Sequence, residues 1–246
     1  MPSPSTTPTF SPLYRQIKTL MLQGLEAGEW RPGAVIPSES ELAGRFGVSL
    51  GTVRKAIDEM VAENLLIRRQ GKGTFVASHH DAGPRESFRF LRLASGAGAP
   101  EEVHSLPLEC WRAKAGHEAA RTLGVAFGAP ITIVRRLLKF SGKPVVVEEI
   151  YLPGELVPGL DLDMLQDFKG SLYGLLESNF GVHMLHARDH LRAVAADAIN
   201  ARLLEVALET PLLSIERISY TYGERPVEWR RGWCVSSEYF YANELS

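Results

Sequence analysis

The run I-P-S-E-S-E-L-A-G-R-F-G-V-S-L-G-T-V-R-K-A-I, Ile36 to Ile57, decides the fold of its end of the chain, because it starts two helices in quick succession. Ser38 stands where a helix cap is needed, and Glu41, three residues on, completes a capping box. Leu42, Ala43 and Phe46 follow at helical spacing, and Gly47 supplies a left-handed stop. Ser49 is the second cap, after which Val53, Ile57, Met60 and Val61 line one face of a helix running to about Asn64. The opposite face carries Leu50, Gly51, Arg54, Lys55 and Asp58. Two helices joined by a tight Gly-containing turn make a helix-turn-helix, whose second helix fits a DNA major groove. The plainer reading of the same periodicity is an αα-corner with a solvated basic face.

The flanks favour the first reading. Downstream, Leu65 to Val76 (L-L-I-R-R-Q-G-K-G-T-F-V) reads as a hairpin, two β-prone runs around a Gly-Lys-Gly tip. A lysine between two glycines suits close approach to a phosphate or a narrow groove. Upstream, Ser11-Pro12 reads as a cap with proline at the first helical position. Leu13, Ile17, Leu20, Met21 and Leu25 then make an apolar stripe that ends at Gly28. Three helices and a β-wing predict a winged helix-turn-helix over residues 11–77.

The segments L-Y-R-Q-I, G-E-W-R-P-G-A-V-I-P-S-E-S-E-L-A-G-R-F-G-V-S, T-V-R-K-A-I and G-K-G-T-F-V together resemble the DNA-binding domain of GntR-family bacterial transcription regulators. The likeness runs from about Leu13 to Val76 in order and spacing, which is more specific than a lone motif. It implies DNA contact by Ser38, Ser40, Ser49, Leu50, Gly51, Thr52, Arg54 and Lys55 on the helices and by Gly71, Lys72 and Gly73 on the wing. Ser40 and Leu50 stand where the family often has arginine. That points away from the usual operator sequence and leaves the DNA-binding role in place.

Bulk properties fit this reading loosely. The chain has 246 residues, enough for one large domain or two modest ones, and a net charge of −2. Residues 1–78 hold nine Lys/Arg against seven Asp/Glu, +2, and the remainder 18 against 22, −4. DNA binding therefore rests on placed cations and dimerisation rather than on a broad basic field. Cys110 and Cys234 read as free thiols in a reducing cytoplasm, with too few cysteines for a zinc motif. Residues 1–10 lack the pattern of a signal peptide and read as a disordered tail, and no apolar run reaches the length of a membrane span.

Residues 78–87 read as a polar linker, and from Phe88 strands dominate. Extended segments are expected over Phe88–Leu93, Val103–Ala113 and His183–Val194. Two hairpins are expected as well. The first is Ile131–Phe140 with Val145–Tyr151 around the turn Ser141-Gly142-Lys143-Pro144. The second is Leu212–Tyr222 with Val227–Ser236 around Gly223 to Pro226. Short helices fall at Gly116–Gly124, after Ser171 to about Asn179, and over Asp197–Val206. The whole is an α+β fold.

Alternation puts Arg136 on the face of Val134, Leu138 and Phe140, and hairpin closure sets it opposite Glu148 or Glu149. Such a pair is either a structural ion pair or an anion clamp. His183, His186 and His190 lie close in sequence, but strand spacing puts the last two about 13 Å apart, too far for one metal.

The segments R-R-L-L-K-F-S-G-K-P-V-V-V-E-E-I-Y-L-P, G-S-L-Y-G-L-L-E and P-L-L-S-I-E-R-I-S-Y-T-Y-G-E-R-P-V-E-W resemble the UTRA effector domain of the HutC-type branch of the same family. The resemblance covers about Phe88 to Tyr241, with looser motifs, and the domain is set at residues 88–245. It implies a chorismate-lyase-like antiparallel-sheet domain that binds a small metabolite without turning it over. Ligand-contact positions carried over are Arg136, Glu148, Ser171, Tyr173 and Glu228. Leu138 replaces a second arginine of phosphosugar-sensing members, and Cys234 and Val235 replace a Tyr-Arg pair. One arginine in place of two points to a monocarboxylate or neutral polar effector.

The expectation is a cytoplasmic homodimeric regulator, a repressor, that reads a near-palindromic double-stranded DNA operator and responds to that metabolite, with no metal or cofactor. The competing class is a chorismate-lyase-like enzyme carrying a DNA-binding head, but no nucleophile with its base is visible in the sequence.

Overall fold

Ser38 and Ser49, the caps marked in the sequence, each start a helix in the computed structural model, which describes residues 11–78, 93–95 and 103–242. The expected tail, most of the linker and most of the strand expected at Phe88–Leu93 lie outside the described residues. The chain divides into two compact units, residues 1–81 and 82–246.

The first unit runs α1 (Leu13–Glu26), α2 (Glu39–Phe46), α3 (Leu50–Ala62), then β1 (Leu66–Arg69) and β2 (Gly73–Val76) as an antiparallel hairpin. Ser38 Oγ accepts from the Glu41 N–H, and the Glu41 carboxylate accepts from the Ser38 N–H at 2.8 Å, so both halves of the capping box form. Gly47 closes α2 at φ 64°, and Ser49 caps α3 by accepting from the Thr52 N–H. Ile17, Met21 and Leu25 of α1, Leu42 of α2, Val53, Ile57 and Met60 of α3, and Leu66 and Val76 of the hairpin are buried together with Ile36. Val35 bridges to Phe75, adding backbone support beside the wing.

Two details of α1 differ from expectation. Pro12, not Ser11, holds the cap position, and no side chain caps the helix. Leu13 and Leu20 are about half exposed, at 50% and 47%. The buried line is the i, i+4, i+8 row Ile17-Met21-Leu25; Leu20 is turned about 100° from Met21 at its middle, and Leu13 sits in the open first turn.

In the second unit β4 (Val103–Lys114), β5 (Pro130–Phe140), β6 (Lys143–Pro153), β9 (Pro226–Val235), β8 (Pro211–Tyr220) and β7 (His186–Ala195) form, in that spatial order, one antiparallel sheet. A separate two-stranded pair joins β3 (Leu93–Ser95) to β10 (Tyr239–Tyr241). Helices α4 (His117–Leu123), α5 (Leu162–Asp167), α6 (Leu172–Phe180) and α7 (Ala198–Leu204) cover the sheet. On one face Leu172, Leu175 and Leu176 of α6 pack on Val134, Ile150 and Leu152. On the other, α4 packs on Ile131, Ile133 and Trp229, and α7 on Leu137, Val147 and Leu212. Covering both faces explains why β5 and β6 read as near-continuous apolar runs rather than clean alternation.

The central hairpin is tighter than its four expected turn residues. Ser141 (φ 49°) and Gly142 (φ 85°) alone make the loop, both left-handed as a two-residue hairpin turn demands, so Lys143 and Pro144 already belong to β6. β7 begins at His186 rather than His183, and β8 ends at Tyr220, followed by a 3-10 turn at Tyr222–Glu224. Two features lie outside the expected elements: α5, a six-residue helix capped by Asp161, and the β3–β10 pairing.

Candidate functional site

The DNA-facing candidates occupy the exposed side of α3, the start of α2 and the wing tip. Leu50, Gly51, Arg54 and Lys55 are exposed, Leu50 at 44%. Arg54 Nε donates to Glu39 Oε2 at 2.9 Å, and the other oxygen of Glu39 accepts from Arg68 Nη2 at 3.1 Å. Arg68 Nη1 also donates to Asp58 Oδ1 at 2.5 Å, so helix α2, helix α3 and strand β1 share one chain of ion pairs. Lys55 Nζ sits 4.1 Å from the centre of the Tyr14 ring, a cation–π contact. The hydroxyls of Ser38 and Ser49 act as caps. Each also meets a neighbouring hydroxyl, Ser40 Oγ at 3.1 Å and Thr52 Oγ1 at 2.8 Å. At the wing tip Gly71 (φ 70°) and Gly73 (φ 111°) flank the exposed Lys72.

The effector candidates lie on the α6 side of the sheet, and the structure separates them into two layers. A cleft of about 90 Å³ is lined by Arg136, Ser171, Ser105, Gln166, Phe168 and neighbouring apolar residues. Glu148, Tyr173 and Glu228 do not line it. They stand behind Arg136 in a buried polar chain.

That chain can be followed atom by atom. Strand register sets Arg136 opposite Glu148, the first of the two partners the sequence allows. Arg136 Nε donates to Glu148 Oε2 at 2.6 Å, and Arg230 Nη1 donates to Glu148 Oε1 at 3.0 Å. Arg230 Nε donates to Glu228 Oε1 at 2.5 Å, Ser219 Oγ to Glu228 Oε2 at 2.9 Å, and the Ser219 and Tyr173 hydroxyls are 3.3 Å apart. The Arg230 guanidinium also lies over the Tyr173 ring, 5.3 Å from its centre. On the cleft side Arg136 Nη1 is 3.5 Å from Ser105 Oγ, the long limit of a hydrogen bond. Ser171 caps α6 by accepting from the Gly174 N–H at 3.0 Å, so the helix N-terminus opens on the same cleft.

Electrostatics fix the charge states of the inner layer. Burial raises the Glu148 carboxyl, but the Arg136 and Arg230 guanidiniums outweigh it and hold the group at about 2. Burial opposes the charge on Arg230 as well, and the Glu148 and Glu228 carboxylates overcome it, leaving its pKa above the ordinary arginine range. Tyr173 is raised by burial and stays a neutral phenol. Among the described residues no buried side-chain nitrogen or oxygen lacks a partner.

Arg230 is not among the expected ligand positions, so two arginines meet at Glu148 where one was expected. The signal was there: in P-V-E-W-R-R-G-W, Arg230 follows Glu228 by two residues and shares its face of the strand. Arg217 is not among the expected positions either; it holds Asp189 through Nε at 2.7 Å and Nη2 at 2.6 Å, with the Tyr241 hydroxyl donating to the same carboxylate at 2.7 Å. The three histidines find separate carboxylates: His183 lies near Glu177, His186 near Glu224 and His190 near Glu216. No His/Cys/Asp/Glu group with metal-ligand geometry occurs among the described residues. Cys110 and Cys234 are free.

A pair of capped helices with a wing, followed by an antiparallel domain with a polar cleft, defines a ligand-responsive DNA-binding regulator. Residues 13–76 match the bacterial regulatory proteins of the gntR family, and residues 100–239 match the UTRA domain. The chain belongs to the GntR family of transcription regulators and carries a UTRA effector domain. It is similar to the histidine utilization repressor of Pseudomonas putida, at 31% identity over 220 residues covering 88% of this chain and 85% of the relative. It is also similar to the HTH-type transcriptional repressor NagR of Bacillus subtilis, at 28% over 213 residues, 85% of this chain and 84% of the other. Among solved structures, the ligand-binding domain of a GntR-family regulator from Bordetella bronchiseptica superposes with a TM-score of 0.63 at 44% identity, covering 65% of this chain and 99% of that one. These relatives are transcription regulators, and the enzyme alternative finds no support in them. No helix among the described residues is long and apolar enough to cross a membrane.

Proposed function

We propose that this regulator is a cytoplasmic homodimeric repressor whose effector is a monocarboxylate or neutral polar metabolite bound at the Arg136 cleft. Repression is the action named for the Pseudomonas putida and Bacillus subtilis relatives. In this reading Leu50, Gly51, Arg54 and Lys55 meet the major groove, Ser38, Ser40, Ser49 and Thr52 flank it, and Gly71, Lys72 and Gly73 enter beside it. One winged head contacts too few base pairs for specific affinity of about 10⁻⁸ M, so a second copy on a near-palindrome supplies the rest.

The observation that carries the effector reading is Arg136 itself, 5% exposed, tied inward to Glu148 and reaching outward to a weakly held Ser105 beside the α6 N-terminus. A ligand oxygen replacing that long contact gains a charge-assisted bond and the helix N-terminal N–H groups. The ligand class follows from charge balance: Arg136 and Arg230 face Glu148 and Glu228, two cations against two carboxylates, so no excess positive charge awaits a dianion. Glu148, Tyr173 and Glu228 then support the clamp from behind. A thermal-shift screen of monocarboxylates, neutral polar metabolites and phosphorylated sugars tests this. Shifts by the first two classes without turnover are expected; a shift by phosphorylated sugars alone refutes the ligand class.

A further inference from the structure

Glu39 is a carboxylate on the surface proposed to face DNA, beside the cationic Arg54 and Arg68. A carboxylate at the mouth of a DNA-binding surface repels phosphates and weakens binding unless it does something else there. Its two oxygens are divided between two arginines from different elements: Oε2 takes the Nε of Arg54 on α3, and Oε1 takes Nη2 of Arg68 on β1. Glu39 is itself the first residue of α2, fixed by the Ser38–Glu41 capping box, so its backbone does not swing. Its side chain is 25% exposed, whereas that of Arg54 is 57% exposed. The carboxylate is therefore the more covered partner of the pair, and the arginine the more exposed one.

We infer that Glu39 is a positioning residue for base readout, holding Arg54 by Nε so that both terminal nitrogens point outward as a fork. An arginine gripped at Nε keeps Nη1 and Nη2 for a bidentate contact, and the O6 and N7 atoms of a guanine are the base-edge acceptors that match this spacing. The same carboxylate ties Arg68, which Asp58 holds from the other side at 2.5 Å, so the recognition helix and the wing strand are braced against one another. In water such an exposed pair contributes little. When a base pair covers it and excludes solvent, the same pair is worth more and fixes the angle of the fork. The residue thus trades non-specific affinity for discrimination.

This inference rests on Arg54 reading a base, and the test separates the two. Full-length protein selects its preferred sites from a random duplex pool, and the affinities of Glu39→Ala, Glu39→Gln, Arg54→Ala and the double variant Glu39→Ala/Arg54→Ala are measured on the selected site, on its single-base variants and on unrelated DNA. Glu39→Ala is expected to lower discrimination at one guanine per half-site by 10-fold or more while raising affinity for unrelated DNA several-fold. Glu39→Gln, which retains an acceptor oxygen, recovers part of the discrimination, and in the Arg54→Ala background Glu39→Ala costs no further discrimination. A merely structural role would lower the melting temperature and weaken all DNAs alike, which overturns the proposal. Full discrimination in Glu39→Ala with discrimination lost in Arg54→Ala overturns it as well and leaves Arg54 as the reader. Discrimination kept in Arg54→Ala overturns both.

Discussion

Glu148 accepts from two buried guanidiniums, which makes it the most consequential single carboxylate of the effector unit. Removing its charge leaves Arg136 and Arg230 sharing no anion, so Glu148→Gln is expected to destabilise the domain by about 3 kcal/mol or more at pH 7. The pH dependence follows from the depressed carboxyl, about 2 against an ordinary 4.5. A lowered folded-state pKa means that the stabilisation is complete above about pH 4.5 and fades as pH falls through about 2. Urea unfolding of wild type and Glu148→Gln should therefore show a wide gap at pH 7 that narrows below pH 4; an equal gap at pH 3 and pH 7 would contradict the assignment. Arg136→Ala is the milder change, because Glu148 keeps Arg230 at 3.0 Å. Its melting temperature should fall less than that of Glu148→Gln.

At the scale of elements, local chemistry decides where the first unit turns. Gly47 ends α2 at φ 64° with open space around it, so Gly47→Ala meets only the backbone penalty and should cost about 1 kcal/mol of unit stability in a denaturant titration. The wing is the second element with a separable role. Lys72→Ala should weaken specific and non-specific DNA alike and reduce the salt slope by about 1, as loss of one phosphate contact does; a change confined to one base position would refute it. These elements were legible in the sequence because their signals are short-range: a capping box spans four residues, and a hairpin carries its own turn. Arg136 facing Glu148 was legible for the same reason, twelve residues apart across one loop. The place of Arg230 beside Glu228 was open to the same local reading, but its contact with Glu148 was not, since that contact spans 82 residues and needs β9 beside β6, a pairing no local periodicity reveals. The β3–β10 pair escaped for the same cause, and α5 escaped because six residues are too few to show a helical stripe.

In the whole molecule, two ligands, operator and effector, are joined by linkage: what one does to the affinity of the other is returned in equal measure. Dimerisation belongs to this scale. Sedimentation at micromolar concentration should give a dimer, and footprinting should protect two half-sites about one DNA turn apart; a monomer protecting one half-site would refute it. The central claim is that the Arg136 cleft is where the effector acts on DNA binding. The measurement that reaches it is operator affinity of full-length wild type and Arg136→Ala, each titrated with a metabolite that raises the wild-type melting temperature. The expected result is a change of about 5- to 150-fold in wild-type Kd, absent from a variant that still unfolds cooperatively and binds free operator as wild type does. An equal change in both proteins, or none in wild type at saturating metabolite, would contradict it.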